Sequence, residues 1–301
     1  MPVPQTQRLY VTGGRGRLAS LIADHFRAPA HAVSLFSRNA GPGFQPLESL
    51  PEPAVLAGAD TILHLAWSSL PATSEQHPGT EERHDLPFLE RLLTALAATP
   101  ATRRVRLVFF SSGGAVYGNA PDRPSREDDA CRPIGSYGRA KLAAEQLIAA
   151  RTDRDHLATT VLRISNPYGY PVPSGRAQGL IPHALRCGMN RETLALWGDG
   201  SARKDFLYYT DFLSALELVL SHRLLGTYNL CAGESHRIDE VIGLVERELG
   251  CAIALQPKPA PAWDVHDSRL ANDKFVAATA WQPQVPLAEG IRRAAAGYAL
   301  H

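Results

Sequence analysis

The sequence has little excess charge and no long apolar run. Its 301 residues carry 31 basic and 30 acidic side chains, a net charge of +1. Proteins that bind nucleic acid concentrate basic side chains on one face, and no basic stripe is present. No apolar run approaches the roughly 20 residues that span a bilayer. We therefore expect neither a nucleic acid nor a membrane as a partner.

Cysteine is also scarce. The four cysteines are scattered and form no C-x-x-C pair. This pattern predicts buried thiols in a reducing compartment, rather than a disulfide framework or a metal site. The start, MPVPQTQRLYVTGG, has no charged segment followed by an apolar one, so we expect no signal peptide and a cytoplasmic protein without a metal. The cysteines are Cys131, Cys187, Cys231 and Cys251.

Short apolar runs typical of strands alternate with helical patterns through the first half of the chain. The strand-like runs are RLYVT, AVSLFS, DTILHLAW, VRLVFFSS and TTVLRIS. Continuous apolar runs fit strands that are buried on both faces. The alternation predicts an α/β fold with a doubly wound parallel sheet and helices on both faces.

The composition of the sequence changes after Pro167. Proline and glycine cluster in NPYGYPVPSG, and short isolated strands then separate the helices. We predict one domain over residues 1–167 and a smaller C-terminal α/β part over 168–301, with an interleaved boundary.

A glycine-rich turn follows the first strand. Gly13, Gly16 and Ala19 are spaced by threes at the start of a helical pattern. The first glycine allows a positive φ, the second lets a pyrophosphate approach the helix, and the small third residue lets helix and strand pack. This position predicts a Rossmann fold that binds a dinucleotide. The candidate residues of the turn are Gly13, Arg15, Gly16, Arg17 and Leu18.

The end of the second strand bears on which dinucleotide binds. It reads Phe36-Ser37-Arg38-Asn39 and contains no acid. A carboxylate there would bind the ribose of NAD, whereas a guanidinium suits a phosphate. Each arginine alone is also typical of a solvated surface. Ser37, Arg38 and Arg15 together favour NADP(H), and NAD(H) stays possible.

Tyr137 and Lys141 lie four residues apart in a helical run, so both project from one face. An ammonium near a phenol favours the phenolate, and a tyrosine that acts near neutrality needs a pKa below its usual value of about 10. The spacing alone also fits an amphipathic surface helix. Ser112 ends the strand that contains Val105–Phe110, at the sheet edge where such folds bind ligands.

Seven motifs together resemble the extended short-chain dehydrogenase/reductase family, in its nucleotide-sugar epimerase, dehydratase and reductase branch. The resemblance covers nearly the whole chain. The motifs are VTGGRGRLA, HLAW, SSGGAVYG, SYGRAK, RISNPYG, WGDGSARKDFLYYTD and YNLCAGES.

The resemblance implies a role for each matching residue. Residues 1–167 would bind the cofactor and carry the catalytic group, and residues 168–301 would mainly bind a nucleotide-diphosphate sugar. The implied catalytic residues are Ser112, Tyr137 and Lys141. The implied cofactor contacts include Leu65, Ala66, Trp67, Tyr137 and Lys141. The implied substrate contacts are Ser112, Asn166, Arg203 and Lys204, with base contacts from Val172 to Gly179 and from His266 to Arg269.

The chain departs from the family at several positions. Relatives carry a hydroxyl where this chain has Gly113 or Ala115, so only Ser111 and Ser112 are left to hold the sugar. Lys204 stands where an arginine is usual, and His84 where an asparagine is usual. Dehydratases need an acidic pair that is replaced here by Gly113 and Gly114, which argues against dehydration.

Several functions therefore stay open. The basic end of the second strand favours an NADPH-dependent 4-ketosugar reductase. The alternative is a nucleotide-sugar 4-epimerase that resembles UDP-glucose 4-epimerase. A reductase of small carbonyl compounds and a non-catalytic dinucleotide sensor are weaker alternatives.

Assembly is predicted from two helical patterns, 85–99 and 136–151. Relatives pair these helices across a two-fold axis, which implies a homodimer. Leucines at helical spacing would also face the protein's own sheet. The apolar residues concerned are Leu86, Leu89, Leu92, Leu93, Leu96, Leu142, Leu147 and Ile148.

Overall fold

The computed structural model describes residues 6–120, 122–170 and 179–298. The strands are β1 (Gln7–Thr12), β2 (His31–Ser37), β3 (Gln45–Pro46), β4 (Thr61–His64), β5 (Arg106–Ser112), β6 (Thr159–Ile164), β7 (Asn166–Tyr168), β8 (Leu194–Trp197), β9 (Arg203–Tyr208), β10 (Gly226–Leu230), β11 (Ser235–Arg237), β12 (Leu255–Lys258) and β13 (Asp267–Ser268). The α-helices are α1 (Arg17–His25), α2 (Pro53–Leu56), α3 (Pro71–Gln76), α4 (Thr80–Ala98), α5 (Pro100–Arg103), α6 (Gly113–Val116), α7 (Ser136–Asp155), α8 (Leu180–Asn190), α9 (Tyr209–Ser221), α10 (Ile238–Leu249), α11 (Asp273–Thr279) and α12 (Leu287–Tyr298).

Seven parallel strands form the main sheet, in the order β10-β6-β5-β4-β1-β2-β3. The chain begins at β1, moves outward through β2 and β3, and returns to β4 on the other side of β1. Such a reversal opens a crevice at the carboxyl ends of the strands. The predicted doubly wound parallel sheet is confirmed. The five strands predicted from the apolar runs lie in it, and β3 and β10 extend its edges.

The chain divides into two compact units that interleave along the sequence. The first comprises Met1–Ser111, Ser136–Leu162 and Leu224–Thr227, and the second comprises Ser112–Gly135, Arg163–Arg223 and Tyr228–His301. The assignment of residues 1–167 to a cofactor and 168–301 to a substrate stays a prediction.

Helices α4 and α7 pack together in the first unit. Because a helix must bury its apolar stripe against its own sheet, Leu89, Leu92 and Leu93 of α4 are completely buried. These leucines are therefore not available to a second chain, whereas Leu86 and Leu147 are only partly buried. Helix α4 begins at Thr80, five residues before the predicted start.

The second unit has a sheet in the order β11-β9-β13, with β7 paired to β9. Its core contains Tyr168, Phe206 and Val241. None of the four cysteines, all of them among the described residues, forms a disulfide; Cys187 and Cys231 are buried, but Cys251 is exposed. The prediction that all four thiols are buried is therefore wrong.

Across the described residues, no helix combines the length and apolar character needed to cross a membrane.

Candidate active site

The glycine turn lies against the end of β4. Gly13 has a φ of +71°, and a Cβ atom there would lie 3.0 Å from the amide nitrogen of Ala66. Only glycine accommodates both the conformation and the contact. The Gly16 N–H donates to the Gly13 carbonyl at 2.7 Å, and α1 begins at the next residue. The turn thus leaves free N–H groups at the start of a helix, which is a cradle for a phosphate.

A cavity of about 280 Å³ adjoins this cradle. Arg15 and Arg38 line it, and no described residue contributes a carboxylate to the lining. Arg15 lies 4.4 Å over the Phe44 ring and donates to the Asn39 carbonyl. The lining residues are Gly13, Arg15, Gly16, Ser37, Arg38, Asn39, Leu47, Leu65, Ala66 and Trp67.

The predicted cofactor residues Arg17 and Leu18 do not line this cavity. The Arg17 Nη1 atom is buried and has no hydrogen-bond partner among the described residues. A buried guanidinium nitrogen without an acceptor suits an added anion. The glycine cradle, the basic cavity and this nitrogen together fit a dinucleotide.

A buried contact ties the cradle to β4. The Thr12 hydroxyl accepts from the Ala66 N–H at 3.0 Å and lies 2.8 Å from His64 Nδ1. The Thr12 hydroxyl already accepts from Ala66, and its own proton needs an acceptor. We therefore assign the hydroxyl as donor to His64 Nδ1, and we place the ring proton of His64 on Nε2. Burial, aided by the Lys141 charge, lowers the pKa of His64 to about 3, so the ring is neutral. The sequence analysis quoted His64 within a motif but gave it no role.

Lys141 is buried beneath Trp67. Its Nζ atom donates to the Phe110 carbonyl at 2.8 Å and lies 3.7 Å from the centre of the Trp67 ring. The centre of the Tyr137 ring is 5.8 Å away. Burial lowers the pKa of Lys141 to about 7, although the nearby carboxylates act in the opposite direction. The structure thus brings the predicted Tyr137 and Lys141 together.

The sequence predicts a lowered pKa for the Tyr137 phenol. In the structure burial raises that pKa, and the charges of Glu81 and Asp85 raise it further. The prediction from sequence counted positive charges beside the phenol and missed two carboxylates contributed by α4. Tyr137 is therefore held as the phenol in this structure, and it needs a nearby positive charge to become the base that accepts a proton.

Three buried carboxylates surround this pair, and sequence analysis identified none of them. Asp85 accepts from the N–H and the hydroxyl of Ser68, at 3.0 and 2.8 Å. Glu145 accepts from Ser111, and Glu81 from Ser69. Glu145 stands four residues after Lys141, so both side chains lie on one face of α7. This spacing could have identified Glu145 from the sequence. Asp85 and Glu81 look like ordinary helix-surface acids in the sequence.

His84 is exposed on α4, one residue before Asp85. It helps to line a second cavity of about 390 Å³, which also contacts Arg38, Trp67 and Asp85.

The two serines at the end of β5 differ in their surroundings. The Ser111 hydroxyl is committed to Glu145. Ser112 is half-buried, and its side chain makes no capping bond to α6. A Cβ atom at Gly113 would lie 2.6 Å from Leu270 Cδ1 and 3.1 Å from the Arg163 carbonyl. The space for a hydroxyl at position 113 is therefore filled.

The motif around Lys204 is built on a buried carboxylate. Asp205 is fully buried and accepts from the N–H groups of Ala232 and Gly233, at 2.9 and 2.8 Å. Burial raises the pKa of Asp205 to about 6. Asn166, predicted to contact substrate, donates its amide to the Asp205 carbonyl at 2.8 Å.

A cavity of about 500 Å³ lies in the second unit. Trp197, which is 55% exposed, and Lys204 help to line it, and Arg203 does not. Lys204 forms an ion pair with Asp264 at 3.0 Å. The acid that neutralises Lys204 is distant in sequence and was not identified.

The predicted base contacts stay largely untested by this geometry. Residues 172–178 lie outside the described residues, and Gly179 lines the cavity. His266 Nε2 lies 3.0 Å from the Ser201 hydroxyl, and Arg269 pairs with Asp267.

Many curated proteins are similar in sequence, among them two named as 4-epimerases and a reductase of nucleotide sugars. A UDP-glucose 4-epimerase of Mycolicibacterium smegmatis is 27% identical over 95% of this chain and 96% of its own length. A putative UDP-glucose 4-epimerase of Methanocaldococcus jannaschii is 28% identical over 62% of this chain, and the match covers 61% of that protein. A dTDP-4-dehydro-6-deoxyglucose reductase of Escherichia coli is 29% identical over 62% of this chain, and the match covers 59% of that protein.

Solved structures agree in fold. The Thermus thermophilus UDP-glucose 4-epimerase in complex with NAD has a TM-score of 0.84 at 26% identity, over 97% of this chain and 99% of that one. RMD from Pseudomonas aeruginosa, complexed with NADPH, has a TM-score of 0.78 at 25% identity, over 98% of this chain and 100% of that one.

A family model matches residues 9–231, which is most of the chain and includes the glycine cradle, Tyr137 and Lys141. The resemblance to the extended short-chain dehydrogenase/reductases is confirmed, and the chain belongs to the NAD dependent epimerase/dehydratase family.

Proposed function

We propose that the chain transfers a hydride at C4 of a nucleotide-diphosphate sugar, and that the reaction is a 4-epimerisation. The observation that carries the proposal is the proximity of the half-buried Tyr137 to the buried Lys141, in the same unit as the glycine cradle. The sequence argument placed a ketosugar reductase first. The 4-epimerase similar over 95% of this chain favours the alternative instead.

The roles follow from chemistry and position. When bound, the nicotinamide of the cofactor accepts and returns the hydride. As the phenolate, Tyr137 takes the proton of the C4 hydroxyl during oxidation and gives it back during reduction, and the positive charge of Lys141 favours that phenolate before the first step and after the second. Ser112 is proposed to hold a sugar oxygen. The cofactor would be held at Gly13, Gly16, Arg15 and Arg38.

A second candidate is an NADPH-dependent 4-ketosugar reductase. The observation in its favour is the cavity lining, in which the described residues include two arginines and no carboxylate. A phosphate on the adenosine ribose is suited to such a lining. RMD, complexed with NADPH, has the same fold.

A direct assay separates the two candidates. UDP-glucose and UDP-galactose are incubated separately with the protein and NAD, and the sugars are followed by NMR. Interconversion without net formation of NADH supports the epimerase. Absence of interconversion, with consumption of NADPH by a nucleotide-linked 4-ketosugar, supports the reductase.

We expect one nucleotide diphosphate to raise the melting temperature well above the others, in a panel of UDP, GDP, CDP and dTDP with NADP present. A ligand at a hundred times its Kd stabilises a protein by about 2.7 kcal/mol. Lys204→Ala should reduce the shift, because Lys204 lines the second-unit cavity. Lys274→Ala, which changes a lysine on α11, is the matched control. If none of the four shifts the melting temperature, the nucleotide-sugar proposal fails and a small-carbonyl reductase takes its place.

We also propose a homodimer through the partly buried leucines of α4 and α7. Light scattering is expected to give twice the chain mass, and Leu147→Glu to give the single mass, because the charge would lie in the interface. Gln146→Glu, at an exposed neighbouring position, should leave the mass unchanged. A wild-type protein that is monomeric at roughly micromolar concentration would contradict the proposal.

A further inference from the structure

A chain of polar groups links the basic cavity to the carboxylates around Lys141. Arg38 Nη1 donates to the Ser68 hydroxyl at 3.0 Å. That hydroxyl donates to Asp85 Oδ1 at 2.8 Å, and the Ser68 N–H donates to Asp85 Oδ2 at 3.0 Å. Arg38 is exposed at the cavity, whereas Asp85 is buried.

The segment that carries Ser68 also covers Lys141. Trp67 lines the cavity with Arg38, and its ring lies 3.7 Å from Lys141 Nζ. Asp85 accepts hydrogen bonds from both the N–H and the hydroxyl of Ser68, the residue that follows Trp67. It therefore fixes the backbone that positions the Trp67 ring. The cavity and the ammonium are thus separated by the short segment Trp67–Ser68, in which Asp85 holds Ser68.

We propose that Asp85 is a positioning residue, and that the chain from Arg38 through Ser68 to Asp85 transmits the occupancy of the cofactor cavity to Lys141. The inference rests on the proposed function, in which Lys141 assists Tyr137. A phosphate that pairs with Arg38 withdraws the guanidinium from this chain. The negative charge of Asp85 is then less compensated, so the net field at Lys141 favours the ammonium more strongly.

Other charged groups also act on Lys141, and the experiment must separate them from Asp85. The remaining groups that face it are Glu81 of α4, Tyr137 and Glu145 of α7, and His64 of β4.

The fluorescence of Trp67 can report the charge of Lys141 without any enzymatic turnover. An ammonium over the face of an indole interacts with the ring, and a neutral amine does so far less. The emission of the wild-type protein, minus that of Trp67→Phe, is recorded against pH. We expect a transition near pH 7. Asp85→Asn should move it downward by about one pH unit, because a charge that favours the ammonium is removed. Asp153→Asn, an exposed acid of α7, should leave it in place.

The coupling is tested with two probes. Adenosine 2′,5′-bisphosphate carries the additional phosphate, and adenosine 5′-monophosphate lacks it. We expect the bisphosphate alone to move the wild-type transition upward, by about half a unit or more. Ser68→Ala removes one hydroxyl from the half-buried residue and keeps the Asp85 charge, so it should abolish this response.

Any of three results would overturn the proposal. These are an Asp85→Asn transition at the wild-type pH, a Ser68→Ala protein that still responds to the bisphosphate, and a wild-type protein that does not respond to it. Neither measurement uses a sugar, so failure of the proposed reaction leaves them interpretable. Conversely, a wild-type transition that the bisphosphate does not move refutes the coupling, even if the protein is an active epimerase.

Discussion

Tyr137→Phe is expected to lower turnover about 10²- to 10⁴-fold, the usual contribution of a positioned acid or base. The change removes one hydroxyl and keeps the ring, so packing near Lys141 is preserved. The phenol is neutral in the structure, because burial and two carboxylates raise its pKa. Turnover is measured with the nucleotide sugar that stabilises the protein, and cofactor affinity by fluorescence titration.

Tyr10→Phe is the matched control for this prediction. Tyr10 lies on β1 in the same unit and packs against Phe36, at a centroid distance of 5.0 Å. Its variant should keep the wild-type rate, and both variants should bind cofactor normally. A Tyr137→Phe enzyme with more than half the wild-type rate would remove Tyr137 from the mechanism.

Arg38→Ala is expected to weaken NADPH binding by about 10- to 100-fold, because a hydrogen bond to a charged group contributes about 1.5–3 kcal/mol. The affinity for NADH should change little, since NADH has no 2′-phosphate. Titration of both cofactors by intrinsic fluorescence measures the preference. Arg27→Ala, which removes an exposed arginine paired with Asp24, is the control.

One result would contradict the predicted preference for NADPH. Equal affinity of the wild-type protein for the two cofactors, unchanged in Arg38→Ala, would remove the main argument for a reductase. The 4-epimerase would then stand without a competitor from the cofactor site.

The sequence predicted the parts of this protein that depend on local pattern. Apolar runs identified the central strands, because strands buried on both faces have no polar alternation. Glycine spacing identified the cradle, because a positive φ and a close backbone contact at Gly13 exclude larger residues. The spacing of Tyr137 and Lys141 placed them together on α7.

The sequence could not predict features that arise from packing between distant segments. Strand β3 has two residues and shows no apolar run. Asp85 and Glu81 reach Tyr137 only because α4 packs on α7, so the direction of the Tyr137 pKa shift was unpredictable from the spacing. Lys204 looked like a free anion-binding cation, and its partner Asp264 lies 60 residues away in the chain.

The filled space at Gly113 bears on the evolutionary history open to this chain. A serine there would meet Leu270, which is itself buried against Val116 and Tyr117. Shrinking Leu270 first would cost about 2–5 kcal/mol, as large-to-small core changes do. A serine at position 113 therefore requires the Leu270 side chain to move or to be shortened, so substitutions at these two positions are coupled in any change of this sequence.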